Sequence, residues 1–336
     1  METAVNKTDS EEPISMRRKI FSLAARFLVS AIVLYIIISL VQWQNIIAAY
    51  QSADGRWIAL AVLLLLFNIG IRTFKWRTML RSVKNAPTIA EAFGSVMLGI
   101  SLGSFTPGEI GEFAGRAVHI VDAKRTHLVG LTLLDKVQIS IVTGCAGLVS
   151  LACITINNPL LVGALILVIA VLSGVFILCL GRIALLTLRL HFSLFQKSWL
   201  KRIVEGFNLL KSKQVCATVM FTLVYYIVLI LQMFCLINAF SKISLVHAFV
   251  GTSAMMFVKS LLPISIGDLG IREAGSIYFF SFYDISQAAA LNASVMLFFI
   301  NIVIPSIAGI YFIRHQQGSL GKLVQFWKKT KRLAND

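Results

Sequence analysis

Acidic residues are scarce in this 336-residue chain: 15 Asp and Glu stand against 31 Lys and Arg, a formal charge of +16. Charge of either sign is sparse, at 14% of residues, where a soluble domain carries about 25%. Hydrophobic residues make up 57% and the mean hydropathy is +0.83. That shortage of charge excludes an ordinary soluble fold and specifies an integral membrane protein. Cysteine is equally uninformative as chemistry. Cys145, Cys153, Cys179, Cys216 and Cys235 all lie in apolar runs without a CxxC pair, so a disulfide framework or thiolate metal site is not indicated and they read as small apolar residues. The five histidines show no HExxH or other metal spacing. GxSxG, P-loop and dinucleotide fingerprints are missing too. No cofactor is expected.

The basic residues that remain flank apolar runs, the distribution that orients membrane proteins through short inner loops. Nucleic acid is therefore excluded as a partner, and anionic lipid headgroups are favoured. A crossing needs about 20 apolar residues. The first candidate, Ile20–Val41, follows Arg17-Arg18-Lys19, which puts the N-terminus in the cytoplasm. Trp57–Ile71 follows and exits into a basic inner segment containing Arg72, Lys75, Arg77, Arg81 and Lys84. Later apolar stretches are Leu128–Ile156, Leu160–Leu180, Val215–Phe240 and Ala288–Ile313, where Pro305 is placed to bend the last. Residues 182–213 are basic with apolar residues at helical spacing, which fits a helix lying on the inner leaflet or a connector packed on the bundle. The organisation expected is a cytoplasmic tail (1–17), a membrane domain (18–315) and a basic cytoplasmic tail (316–336) in a bacterial inner membrane, with an unspecified oligomeric state.

One stretch is polar, charged and glycine-rich where the chain should be apolar: Phe105-Thr-Pro-Gly-Glu-Ile-Gly-Glu-Phe-Ala-Gly-Arg116. Its preceding segment, Ala90–Phe105, is short for a crossing and has basic flanks on both sides, so a re-entrant hairpin is expected. Pro107, Ile110, Gly111, Glu112 and Arg116 recur at the same offsets as Pro263, Ile266, Gly267, Asp268 and Arg272. Leu245–Leu262 leads into this second copy and Ala274–Phe282 returns from it. Three crossings separate the copies, so the second faces the opposite side. The fold class expected is all-α: a polytopic membrane protein with six to eight transmembrane segments, two re-entrant or broken regions and an inverted-topology internal repeat.

A charge at membrane depth costs about 2.5–3.5 kcal/mol or more on insertion scales. The chain nevertheless places Glu109, Glu112 and Arg116 in the first copy and Lys259, Asp268, Arg272 and Glu273 in the second. Asp135 and Lys136 interrupt the span after the first, and Asn292 lies in the corresponding place after the second. Two jobs fit these residues. Acids and bases could pair and hold two broken helices together, or Arg116, Arg272 and Lys259 could contact an anionic headgroup, for which the arginine fork is suited. The residues leave both open. Glu109, Glu112 or Asp268 acting as a base would instead make a transferase.

Arg72-Thr-Phe-Lys-Trp-Arg77, Pro107-Gly-Glu-Ile-Gly-Glu112 with Arg116, and Ile266-Gly-Asp-Leu-Gly-Ile-Arg-Glu273 together resemble the lysylphosphatidylglycerol synthase transmembrane-region, or flippase-like, family across about residues 18 to 315. The resemblance implies a lipid flippase scaffold with Glu112, Arg116, Asp268, Arg272 and Glu273 at its centre. This sequence ends about twenty residues after the last span, without the aminoacyltransferase domain of the best-known members, and a separate lipid-modifying enzyme is a possible partner. The expected function is lipid transport of an anionic or modified phospholipid. The alternatives are a membrane transferase using a lipid-linked donor and a non-catalytic accessory of lipid metabolism.

Overall fold

The computed structural model describes residues 43–104, 106, 109–156, 158–169, 209–262 and 270–315, with Tyr35, Ser39 and Val41 before them. Every described element is helical. In chain order these are α1 (Trp43–Gln51), α2 (Gly55–Leu80), α3 (Ile89–Ser104), α4 (Ile110–His119), α5 (Arg125–Thr155), α6 (Pro159–Ile169), α7 (Ser212–Phe240), α8 (Leu245–Leu261), α9 (Ile271–Ser281), α10 (Gln287–Phe298) and α11 (Ile304–His315). Among the described residues, α2, α5, α7 and the continuous run Gln287–Gly309 are long and apolar enough to cross a membrane. The expected first span apart from Tyr35, Ser39 and Val41, residues 182–208 of the basic segment, Pro263, Ile266, Gly267 and Asp268 fall outside the described residues.

Local chemistry sets the boundaries. Asp54 caps α2 by accepting from the Arg56 amide at 2.9 Å. Thr88 and Glu91 form a reciprocal pair at the start of α3, Glu91 N to Thr88 Oγ1 at 3.1 Å and Thr88 N to Glu91 Oε2 at 2.9 Å. Asn158 opens α6 by accepting from Leu160 N at 3.0 Å. Ser244 and Ser286 cap α8 and α10.

The second crossing is longer than its apolar run. α2 continues through Arg72, Lys75 and Arg77 to Leu80, so these residues of the basic inner segment lie on the same helix as the span. The last crossing departs from regularity as Pro305 suggests, one turn earlier. Phe299–Val303 forms a π-turn, because a proline cannot donate to the preceding turn and the backbone there widens to re-satisfy its carbonyls.

α2 and α7 pack most extensively, and they run antiparallel. The Asp54 amide at the start of α2 donates to the Ala239 carbonyl at the end of α7 (2.9 Å), and Trp57 meets Phe234 edge-on at 5.7 Å. Between them Gln232 reaches the Ala61 carbonyl and accepts from Asn68 and from Asn301 of the π-turn. Around this pair α3 packs on α4 and α8 on α9; α4 packs on α5 and α9 on α10; α5 crosses α8 and α11 crosses α3. Both crossings are close. A Cβ on Gly147 of α5 would stand 2.2 Å from Phe257 Cβ, and one on Gly309 of α11 would stand 1.9 Å from Ser101 Oγ.

Candidate functional site

The charged site is built on the α3–α4 hairpin. At about 1.5 Å per residue, the 16 residues of α3 reach about 24 Å, less than the hydrocarbon thickness of about 30 Å. The chain then turns and the 10 residues of α4 come back along it. Glycine makes the two arms fit. A Cβ on Gly111 would meet the Leu102 carbonyl oxygen at 2.0 Å, and one on Gly115 would meet the Leu98 carbonyl oxygen at 2.7 Å. Glu109 sits at the turn with φ 57°, a left-handed conformation that few side chains adopt. At the open end Lys84 holds Glu91 at 2.6 Å and the Val121 carbonyl at 3.2 Å, joining the chain before α3 to the chain after α4.

With the arms fixed, Glu112 and Arg116 share one face of α4, four residues apart, and both are 2% exposed. Arg116 Nη2 donates to Glu112 Oε1 at 2.5 Å and Nη1 to Asp135 Oδ2 on α5 at 2.8 Å. The indole of Trp76 lies under the guanidinium, 4.7 Å away. That ring is itself fixed by donating to Ser95 Oγ at 2.9 Å, and Ser95 donates to the Arg116 carbonyl. From α2, Arg72 donates to Glu112 at 3.1 Å and Lys75 pairs with Asp135. Lys136, beside Asp135 on α5, pairs with both Glu109 and Glu112. Lys259, in the last turn of α8, lies within electrostatic range of Glu109.

Four of the eight expected site residues thus converge: Glu109, Glu112, Arg116 and Asp135. Arg72, Lys75 and Lys136 join them. The first two were read from sequence as part of the basic inner segment that follows the second span. Their spacing of three residues on the helical continuation of an apolar span is the signal that could have placed them. The second arginine has its own surroundings. Arg272 donates to Glu273 at 2.5 Å and to Ser294 Oγ at 3.2 Å, and lies 5.1 Å from the Phe298 ring. Glu273 also accepts from the Gly270 amide at 2.7 Å, so its charge closes the first turn of α9. The two copies differ in helical setting: Arg116 ends a helix, whereas Arg272 opens one.

The first cluster counts four cations, Arg72, Lys75, Arg116 and Lys136, against the carboxylates Glu109, Glu112 and Asp135. Among the described residues these cations outnumber these carboxylates by one. The cluster also retains buried polar atoms without a hydrogen-bond partner, Arg116 Nε among them. The profile of the Lysylphosphatidylglycerol synthase TM region matches residues 23–309. The chain belongs to that family. No curated protein matches it. Family membership and the polytopic helical fold identify a membrane protein of flippase-like, lipid-transport type. The matched range includes both motif helices, so the charged hairpin is part of the family's shared region.

Proposed function

We propose that this protein moves an anionic or modified phospholipid, or another lipid-linked headgroup, between the leaflets of the cytoplasmic membrane. The headgroup would be held at the first charged hairpin while its chains remain in lipid. The observation that carries this reading is the buried Arg72–Glu112–Arg116–Asp135–Lys75 network, in which these cations outnumber these carboxylates. Buried ion pairs are a poor route to stability, since their desolvation offsets most of their attraction. Seven ionisable groups gathered from α2, the α3–α4 hairpin and α5 fit an anion-handling site in the membrane.

Packing supports a two-sided mechanism. Exchanging α2 with α7, α3 with α8, α4 with α9 and α5 with α10–α11 leaves the pattern of neighbours unchanged. The antiparallel α2 and α7 relate the halves by inversion. Gly147 against Phe257 and Gly309 against Ser101 are then the same crossing made twice, since Phe257 and Ser101 are 156 residues apart, as are Pro107 and Pro263. We infer an inverted repeat whose first hairpin is reached from the cytoplasm and whose second is reached from outside, with both termini cytoplasmic. In this reading Lys259 and the Arg272–Glu273 pair serve the outward-facing half, together with Asp268. A transferase mechanism would require one of these acids as a base, and Glu112, engaged by three cations, is poorly placed to take a proton.

The test is leaflet accessibility of a fluorescent phosphatidylglycerol in vesicles reconstituted with the purified protein. Transport predicts that about half of the probe initially on the inner leaflet becomes accessible to an outside quencher. Identical accessibility in protein-free vesicles, over a panel of anionic lipids with and without an ion gradient, would overturn the reading.

A further inference from the structure

The rim of the charged cluster is built differently from its centre. Glu109 and Lys136 pair there with side chains 43% and 23% exposed, whereas the side chains of Glu112 and Asp135 are 2% and 5% exposed. Lys136 stands between two carboxylates, Glu109 on the open side and Glu112 on the buried side. The two acids are held unequally. Glu112 is engaged by Arg72, Arg116 and Lys136. Glu109 pairs with Lys136, with Lys259 of α8 in electrostatic range. Nor does the Glu109 carboxylate serve the helix it precedes. It stands at the N-cap of α4, yet its side chain makes no capping bond, and the Gly111 amide donates instead to Thr106 Oγ1 at 2.6 Å. Glutamate is a poor residue for the left-handed φ of 57° at this turn, so its presence there calls for a role outside the backbone. What its carboxylate meets is the ammonium of Lys136.

We infer that the Glu109 carboxylate is a resident counter-ion, occupying the place on Lys136 that an anionic headgroup takes during transport. Lys136 is then a headgroup ligand, and Glu109 is the group that the headgroup displaces. This rests on the transport reading of the hairpin and adds to it the point at which the headgroup enters. Three physical reasons single out this pair. Anion replaces anion on one ammonium, so the charge balance of the inner network is untouched. Lysine has three donors, so one stays on Glu112 while another passes from Glu109 to a headgroup oxygen. The Glu109 side chain is 43% exposed, so water takes up the released carboxylate, and an exposed pair opens at little cost. The other cations lack such a route. Arg72 is 19% exposed, but the anion on it is Glu112, whose release would strand a buried charge. Lys75 and Arg116 are 5% and 2% exposed and share Asp135.

The experiment uses the full chain in nanodiscs of phosphatidylcholine, with bound phosphatidylglycerol counted by native mass spectrometry during titration. Glu109→Gln removes the competing anion and should tighten binding about two- to fivefold, the upper part of the range for an exposed pair. Lys136→Gln removes the ligand and should weaken binding about tenfold or more, the loss of one charge-assisted contact. The double variant separates displacement from simple repulsion. In a Lys136→Gln background, Glu109→Gln should leave binding within about 1.5-fold, because the ammonium for which the two anions compete is gone. A gain as large as in the unmodified background means that Glu109 repels the headgroup through space, and it overturns the inference. Undiminished binding by a folded Lys136→Gln protein overturns it too. Glu91→Gln, which removes a partly exposed acid paired with Lys84 at the far end of the hairpin, should leave binding unchanged. The unmodified protein gives a test free of any variant: saturating phosphatidylglycerol should raise the labelling of Glu109 by a water-soluble carbodiimide, read by peptide mass spectrometry. Unchanged or lower labelling, or binding of phosphatidylglycerol no tighter than that of phosphatidylcholine, overturns the inference. Leaflet exchange that Lys136→Gln leaves at full rate would remove this inference and keep the transport reading standing. Lys136-dependent binding with no leaflet exchange of any lipid would do the reverse.

Discussion

Replacing Glu112 by Gln keeps the side chain's shape and removes one negative charge from the middle of the network. Its carboxylate accepts from Arg72 at 3.1 Å and from Arg116 at 2.5 Å, and it faces Lys136 as well. The cluster would pass from four cations against three carboxylates to four against two, in a site where Glu112 and Arg116 are 2% exposed. One such pair at 4 Å is worth about 4 kcal/mol at an effective dielectric constant of 20. Relief of Glu112's own desolvation offsets part of that, and breaking a buried pair on one side costs about 3–5 kcal/mol in practice. Glu112→Gln should therefore lower the unfolding free energy by about that amount in a mixed-micelle denaturant titration. Adding Arg72→Gln removes a cation from the same carboxylate and should recover part of the loss, with a coupling of about 1–3 kcal/mol. Lys84→Gln is the comparison, because the Lys84–Glu91 pair sits at the partly exposed end of the hairpin and contributes at most about 1 kcal/mol. A Glu112→Gln protein within about 0.5 kcal/mol of wild type, or a strictly additive double variant, would refute the network as described.

The glycine crossings give sharper steric outcomes. Gly309→Ala and Gly147→Ala should each cost about 1–3 kcal/mol from overpacking, and shortening Phe257 to Ala should rescue only the second, read by thermal unfolding in detergent. Gly144→Ala, where an added Cβ meets nothing within 4 Å, should stabilise by up to about 1 kcal/mol through helix propensity. Gln232→Leu strands the amides of Asn68 and Asn301 between α2, α7 and the π-turn, and should cost about 1–2 kcal/mol. If the halves are inverted, cysteines placed at Asp122 and Asp284 in a background without native cysteines should label from opposite sides of the membrane with an impermeant maleimide; labelling from one side would exclude the inversion.

Much of the scaffold was legible because membrane insertion is written in one dimension. Apolar runs of sufficient length gave α5, α7 and the last crossing nearly to their ends, and the short glycine-broken run before Phe105 with basic flanks gave the α3–α4 hairpin. The convergence of Glu112, Arg116 and Asp135 was legible for a similar reason, since charges at membrane depth must find partners. Arg72 and Lys75 were hidden by the same logic. Basic residues after an apolar run read as an inner segment beyond the span, yet α2 continues for about two and a half turns past Ile71, and Lys75 pairs with Asp135 inside the bundle. The contacts that depend on which helix crosses which carry no local signature: Gly147 at Phe257, Gly309 at Ser101, and Gln232 between two asparagines. Nor did the matching offsets of the two motifs reveal that Arg116 would close a helix and Arg272 open one.

The central claim is that lipid passes by way of the first charged hairpin. Its most direct test is the rate of leaflet exchange in vesicles reconstituted with wild-type protein and with Arg116→Lys, which preserves the charge but loses the fork that joins Glu112 to Asp135. Exchange in the wild type, slowed about tenfold or more in a folded Arg116→Lys protein and left near wild type by Lys84→Gln, is the predicted result. Equal exchange by wild type and Arg116→Lys, or none above protein-free vesicles, would contradict it.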